Sequence, residues 1–472
     1  MNKIKMYKYK FLLQKRGNMK IIVIGANHAG TSFLRTLKTV NPKAEITAYD
    51  RNTNTSFLGC GIAIWVGGKA KQPDGLFYSS PNILQKEYGV NLKTSHEVIE
   101  IDRKKKEVTV QDLDSGKTFK DTYDKLVFAG GTWPIEPKIP GIELDNILLS
   151  KLYQHAQVLV KKANDKKIQN VVVVGAGYIG IELVEAFHNK GKKVTLIDLA
   201  DRVVPGYLDG EFTDIMQKNM KKEGVKLALG EKVVEFKSKD GKHVSQVITD
   251  KSKYDADLVI MSVGFKPRTY VLNDVEKLPN GAIKVNEFQQ SISDENIYVL
   301  GDSAALKHCV SNTYEHVALA TNAVKTGIVA ALNLAGLKVP FPGVVGTNAI
   351  NVFGCHYAAT GFNEDAARAH GFDVASEYFE DNDRCEFAGK SEKVGCKIIF
   401  DKKTLQILGV QIGSWGQVNH TEVIYMFGLA LQRKLTLPEC ALTDVFFLPH
   451  FNKPFNFFLM PMLKALGLKY KA

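Results

Sequence analysis

No apolar run in this 472-residue chain is long enough to cross a membrane. The longest candidate, Phe455–Leu468, is broken by Pro461 and Lys464, and a span needs roughly 18–20 uninterrupted residues. Cysteine is sparse, with Cys60, Cys309, Cys355, Cys385, Cys396 and Cys440 as the full set. No two of them are spaced as Cys-x-x-Cys, so no zinc ribbon or local dithiol is written here and no metal is expected. An export leader is missing too, because the N-terminal segment offers only Phe11-Leu12-Leu13 against the 7–15 apolar residues such a leader requires. Residues 1–18 read as a disordered tail or an upstream-start artefact, with Met19 opening the first structured run. A reducing cytoplasm with free thiols is the expected setting. Basic charge is not spread through the chain. Of the net +12, six charges (Lys3, Lys5, Lys8, Lys10, Lys15 and Arg16) precede Asn18, and the remaining six lie among residues of both signs. No basic strip interleaved with aromatics is found, which argues against a nucleic-acid partner.

What is present is a repeat. Residues 20–50 and 171–198 each run through an apolar strand, a glycine-rich turn, a helix pattern, a second strand and a terminal Asp. This is a βαβ nucleotide-binding unit, written twice. The first glycine allows a tight turn, the second position lets backbone approach a pyrophosphate, and the third lets the helix pack on the sheet. In the second unit these are Gly175, Gly177 and Gly180, and Asp198 stands about 20 residues on, where a ribose hydroxyl is bound. A carboxylate there repels a 2′-phosphate, so NADH is expected over NADPH. In the first unit, Gly25-Ala26-Asn27-His28-Ala29-Gly30, Asn27 takes the middle place and Asp50 closes the unit. The fold class is therefore α/β, with two Rossmann-like nucleotide-binding domains.

A third element decides which unit holds which nucleotide. The stretch Ile297-Tyr298-Val299-Leu300 reads as a strand running into Gly301-Asp302. In two-nucleotide flavoproteins such a strand returns to the first domain and its Asp bonds the flavin ribityl chain and pyrophosphate region. The segment Asn312–Thr326, containing Ala318 and Ala320, then reads as a loop entering a helix whose N-terminus faces the flavin. FAD is thus expected on residues 19–149 with 280–345, and NADH on 150–279. Two bridges join them: Ala129-Gly130-Gly131-Thr132 after the strand Lys125–Phe128, and Val263-Gly264-Phe265-Lys266-Pro267 after the strand Leu258–Met261.

Cys60 lies in Ser56-Phe57-Leu58-Gly59-Cys60-Gly61. Flavin disulfide reductases carry a second Cys five residues on, whereas this chain has Trp65 there. Cys60 has no local partner, which leaves a thiolate/sulfenic acid cycle, a mixed disulfide with a small thiol, or a structural role. His28 opens the first helix. It either packs and caps there or faces the flavin and Cys60, stabilising a thiolate and moving protons.

Taken together, Gly25–Thr31, Ser56–Gly61, Gly175–Glu182, Gly301-Asp302 and Pro449-His450-Phe451-Asn452-Lys453-Pro454 resemble the NADH oxidase, NADH peroxidase and coenzyme A disulfide reductase group of single-cysteine flavoproteins. The resemblance runs from Met19 to the C-terminus. Ser32 stands where peroxidases carry Glu, and Ile64–Gly68 looks more like the oxidases. The Asn27-His28 pair and the residues around Cys60 differ from the coenzyme A disulfide reductases. The resemblance implies an FAD-dependent enzyme taking electrons from two NADH to reduce O2 to water, with Cys60 and His28 as catalytic residues. Peroxidase or coenzyme A disulfide reductase activity is the enzymatic alternative, and an NADH-binding redox sensor the non-enzymatic one. It also implies that Asp50, Val98, Lys151, Ala318 and Ala320 join the FAD site. Ile179, Glu182 and Tyr207 would join the NADH site, with Tyr178 gating the nicotinamide. Gly130 and Thr132 depart from the Thr and Ser that relatives carry there. Residues 346–472 are expected to form an α+β domain, with an antiparallel sheet and the apolar stretch Phe446–Phe458 at a homodimer interface that brings His450 and Phe451 near the partner's flavin.

Overall fold

The structure is a computed structural model that describes residues 19–468; the expected tail, residues 1–18, lies outside them. Strand β1 (Lys20–Ile24) is apolar along nearly its whole length, the pattern of a strand covered on both faces, and only its first residue is not buried. Helix α1 (His28–Val40) follows, and strand β2 (Glu45–Tyr49) returns parallel to β1 with Lys20 opposite Glu45. On the other side β1 pairs in parallel with β3 (Lys125–Phe128).

The second unit repeats this plan. Strand β4 (Asn170–Val174), helix α2 (Tyr178–His188) and strand β5 (Lys193–Asp198) form the crossover, and β6 (Leu258–Met261) pairs with β4 as β3 does with β1. The short strand Ile147–Leu149 is the outer neighbour of β6. The chain then crosses back. Strand β7 (Asp294–Val299) adds to β3 in parallel, completing a six-stranded sheet, and helix α3 (Ala320–Leu334) packs on α1. A two-stranded antiparallel ribbon, Thr132–Pro134 against Phe265–Pro267, carries both crossings between the units. The expected strands at Lys125–Phe128 and Leu258–Met261 and the helix following Asn312 are all found.

The C-terminal part is the expected mixture of an antiparallel sheet and helices. Its five strands run in the spatial order Asn348–Val352, Cys355–Gly361, Ile407–Ser414, Lys393–Asp401, Val374–Asn382. Helices Ile424–Gln432 and Leu459–Ala465 contribute Phe427, Leu431 and Met462 to the core beneath it. Among the described residues no helix is long and apolar enough to cross a membrane.

The glycine turns explain why the two units superimpose in plan. Gly25 and Gly175 hold φ of +92° and +110°, a region that side chains resist, and a Cβ on either would sit 2.3 Å from the carbonyl oxygen of Ala129 or Ser262. A Cβ at Gly30 or Gly180 would lie 1.9 Å from the carbonyl oxygen of its own turn's first glycine. Gly177, by contrast, has open space around it. That freedom explains how Asn27 can occupy the same place in the first unit. Gly180→Ala should therefore destabilise the protein by about 3 kcal/mol through overpacking, while Gly177→Ala should stay within about 1 kcal/mol of wild type. Urea unfolding of the two variants side by side measures the contrast.

Candidate active site

The C-terminal ends of β1 and β4 open on one continuous cavity of about 1560 Å³, well beyond the 300–1,000 Å³ of a site for one small ligand. Both glycine turns border it, and so do Cys60, His28, Lys151, Asp302, Glu182 and Asp198. Of the residues expected at the site, Ala26, Gly30 and Gly180 do not line it. Their part is internal. Gly30 and Gly180 sit against their own turns, and the Ala26 amide donates to Asp50 Oδ2 at 2.7 Å. The matching bond in the second unit runs from the Ala176 amide to Asp198 Oδ2 at 2.5 Å. Each acid thus ties its strand to the glycine turn while bordering the cavity. Burial pushes the Asp50 carboxyl above its usual range, and the amides of Ala26 and Asn52 oppose that.

The first unit's far wall is a relay of polar contacts. Lys151 Nζ donates to Thr132 Oγ1 at 2.7 Å, and Thr132 Oγ1 donates to Asp302 Oδ2 at 3.0 Å. The ammonium lies 3.7 Å from the same carboxylate oxygen and over the Phe265 ring. Thr132 thus makes hydroxyl contacts to both charged groups. Gly131 reaches Ser303 Oγ through its amide at 2.8 Å. Burial lowers the Lys151 pKa and the nearby Asp302 raises it. Ala318, Leu319 and Ala320 bring the N-terminus of α3 to the cavity edge, and Val98 borders it from the neighbouring strand.

Cys60 is exposed into the cavity, and packing holds it between the units. Phe57 and Ile62 flank it in sequence, Val66 lies just beyond, and all three are buried in one core with Val184, Ala186 and Phe187 of α2. Each such side chain contributes roughly 1.5–3 kcal/mol on burial. Trp65, at the place of an absent second cysteine, stacks on Tyr153 with ring centres 5.8 Å apart. His28 stacks on Tyr78, and its Nδ1 lies 3.2 Å from the Tyr78 hydroxyl. Tyr78 went unnoticed in the sequence, where nothing marks a partner fifty residues away. Burial lowers the His28 pKa, Asp302 raises it and Lys151 lowers it, with a lowering overall. Burial and the Glu182 carboxylate push the Cys60 thiol up. The protein's own groups therefore favour an uncharged imidazole at His28 and an uncharged thiol at Cys60. Ser32 lies elsewhere, in the seam between α1 and α3, donating to the Val324 carbonyl at 2.9 Å. There Gly327 backs so closely on Ala29 that a Cβ would meet its carbonyl oxygen at 2.4 Å.

On the second unit's wall Tyr178 and Tyr207 stack with ring centres 4.4 Å apart. The Tyr178 hydroxyl donates to Asn348 of the C-terminal sheet. Ile179, Glu182 and Gly264 border the same region. No group of three or more His, Cys, Asp or Glu residues among those described is arranged to hold a metal.

Two family models match the chain, one described as pyridine nucleotide-disulphide oxidoreductase over residues 19–327 and one as its dimerisation domain over 348–456. A protein named NADH oxidase from Mycoplasma pneumoniae is 48% identical over 473 residues, spanning 96% of this chain and 98% of that one. An NADH oxidase from Enterococcus faecalis is 45% identical over 440 residues, 93% of this chain and 97% of its own. The solved structure of a water-forming NADH oxidase from Lactobacillus brevis bound to NADH has a TM-score of 0.92 at 39% identity, covering 95% and 98% of the two chains.

Burial, and then Glu185, push the Glu182 carboxyl up to about 7. A carboxyl raised in this way keeps its proton in the folded state to higher pH than in the unfolded one. Its contribution to stability is full below about pH 4.5 and is lost as pH rises through 7. The loss is on the order of 3 kcal/mol. Glu182→Gln should flatten that part of the stability profile between pH 5 and 8, read as unfolding midpoints of both proteins across the range.

Proposed function

The chain belongs to the pyridine nucleotide-disulphide oxidoreductase family, and on that premise we propose that it is an FAD-dependent NADH oxidase reducing O2 to water with two NADH. One observation carries the reading: both nucleotide cradles, Cys60 and His28 border a single cavity. FAD is assigned to residues 19–149 with 280–345, and NADH to 150–279. The residues present fit FAD. The N-termini of α1 and α3 open toward the cavity and favour the negative pyrophosphate and flavin ring. In this reading Asp50 would hold a ribose, and Asp302 and Lys151 the ribityl chain and ring. On the other side Asp198 would hold the NADH ribose, and Tyr178, Ile179, Glu182 and Tyr207 would join the NADH site.

When bound, FAD would supply hydride acceptance from NADH and two-electron delivery to O2, which yields hydrogen peroxide. The chain's own task is to stop that peroxide from leaving. Neutral His28 can accept the Cys60 proton. The Cys60 thiolate attacks one peroxide oxygen, the S–O bond forms as O–O breaks, and the departing hydroxide takes a proton and leaves as water. Cys60 is then a sulfenic acid. Two electrons from a second NADH, with protons, break the S–O bond, release the second water and restore the thiol. Because burial and Glu182 hold the thiol up, deprotonation depends on a base at hand, which is the role assigned to His28. Partial burial holds the His28 imidazole below its usual range and so favours the uncharged form that can take a proton.

The apolar stretch expected at an interface is largely uncovered in the single chain. Phe446 is 69% and Phe451 60% exposed, with Phe447, Leu448 and Phe455 also exposed. Burying a patch of this kind against a second copy removes a liability, and it would bring His450 and Phe451 to the other copy's flavin. Sedimentation at micromolar concentration should show a dimer, and Phe451→Asp should shift it toward monomer. Cys60→Ser should retain FAD and hydride transfer but let peroxide escape, since a hydroxyl supplies almost no anion near neutral pH. The NADH:O2 ratio should fall from about two toward one as peroxide accumulates, and an unchanged ratio without peroxide would exclude the cysteine cycle.

A further inference from the structure

The loop from Val203 to Asp209 carries Tyr207 to the cavity; its start is held within its own unit, where the Val204 amide donates to the Ala176 carbonyl, but its far end is anchored outside that unit. Asp209 stands at the N-terminus of helix Gly210–Lys222 without capping it through its side chain. Its amide instead donates to Gln411 Oε1 at 2.8 Å, and Gln411 Nε2 donates back to Asp209 Oδ2 at 2.9 Å. Lys397 Nζ lies 3.2 Å from the same oxygen, 2.8 Å from Glu211 and 2.7 Å from Glu364. Lys397 and Gln411 face each other in register on adjoining strands of the C-terminal sheet, and both are buried. Further up the loop, the Pro205 carbonyl accepts from Asn363 Nδ2 at 2.7 Å. Just ahead of both anchors Val204 holds φ +40°, a conformation a β-branched residue adopts only when its surroundings impose it.

A buried ammonium among three carboxylates is a poor source of stability, since well-packed apolar residues serve as well or better. What it supplies is a fixed position. The partner ring is held from the same side, because Tyr178 bonds Asn348 of that sheet. We propose that Lys397 and Gln411 are positioning residues for the NADH site, acting through Asp209 to set the Tyr207 ring against Tyr178. This rests on the reading of the Tyr178–Tyr207 wall as part of that site. The C-terminal sheet then does more than join two copies: it shapes the reductant pocket of its own chain.

The decisive variant is Gln411→Leu, which removes both bonds to Asp209 and leaves Lys397 paired. In FAD-loaded protein the KM for NADH should rise about tenfold, a typical cost of small misplacement, with kcat and the KM for O2 within twofold of wild type. In a Tyr207→Ala background the same substitution should have no further effect, because its route runs through that ring. If the two effects simply multiply, or the NADH KM stays unchanged in folded Gln411→Leu, the positioning role is wrong. Should Gln411→Leu not yield folded protein, Lys397→Arg keeps the charge but displaces it, and the same KM and Tyr207→Ala comparisons decide. Anaerobic NADH titration of wild type separates the two layers of the argument. A wild-type flavin that NADH does not bleach overturns the NADH assignment itself, whereas a bleached wild type with an indifferent Gln411→Leu overturns the positioning alone.

Discussion

The carbonyl oxygens of Ala129 and Ser262 press on the first glycine of each turn, and the rest of the site is arranged around that contact. Because Gly25 and Gly175 yield there, β1 and β4 can pass straight into α1 and α2 with the helix N-termini at the cavity. Because Gly30 and Gly180 lack a Cβ, those helices stay down on the sheets. The acids Asp50 and Asp198 then fasten the turns by the next amide along. A second correspondence follows from the first. Ser56 and Val204, each six places after its acid, both take positive φ and both donate their amides to the turn's alanine carbonyl, at 3.2 Å to Ala26 and 2.8 Å to Ala176. The two copies diverge only beyond that point, one toward Cys60 and the other toward Tyr207.

Much of this was legible in the sequence because it is local. Glycine spacing, the terminal acids and the short apolar strands at Lys125–Phe128 and Leu258–Met261 are patterns within a few tens of residues, and backbone geometry dictates them. Gly301-Asp302 was legible for the same reason. The parts that were not legible are contacts between distant segments. Trp65 announced the absence of a second cysteine but not its stack on Tyr153. Nothing near His28 pointed to Tyr78, and nothing near Lys397 pointed to Asp209. Ser32, which the resemblance ties to the oxidase chemistry, sits in the α1–α3 seam, where its hydroxyl bonds the Val324 carbonyl. Any information it carries about the reaction must pass through that seam.

The electrostatics were likewise hidden. Motif spacing places a cysteine and a histidine at the cavity, but their protonation depends on burial and on Glu182 from the other unit. Burial holds the Cys60 thiol high and the His28 imidazole low, so both favour their uncharged forms. A thiol that is mostly protonated reacts only when a base and a small oxidant arrive together.

The ribbon between Thr132–Pro134 and Phe265–Pro267 has a consequence for how the chain is made. Lys125 and Asn296 meet although 171 residues separate them. Left unstructured, a loop of that length costs roughly 4–5 kcal/mol to close. The intervening unit has its own sheet and core and can fold while the rest is still being synthesised, which takes roughly 10–30 s for this many residues on a ribosome. Once folded, it delivers its two ends side by side at the ribbon, so β7 is brought to the open edge of β3 rather than having to search for it. Until then that edge is an unpaired parallel strand, open to pairing with another chain.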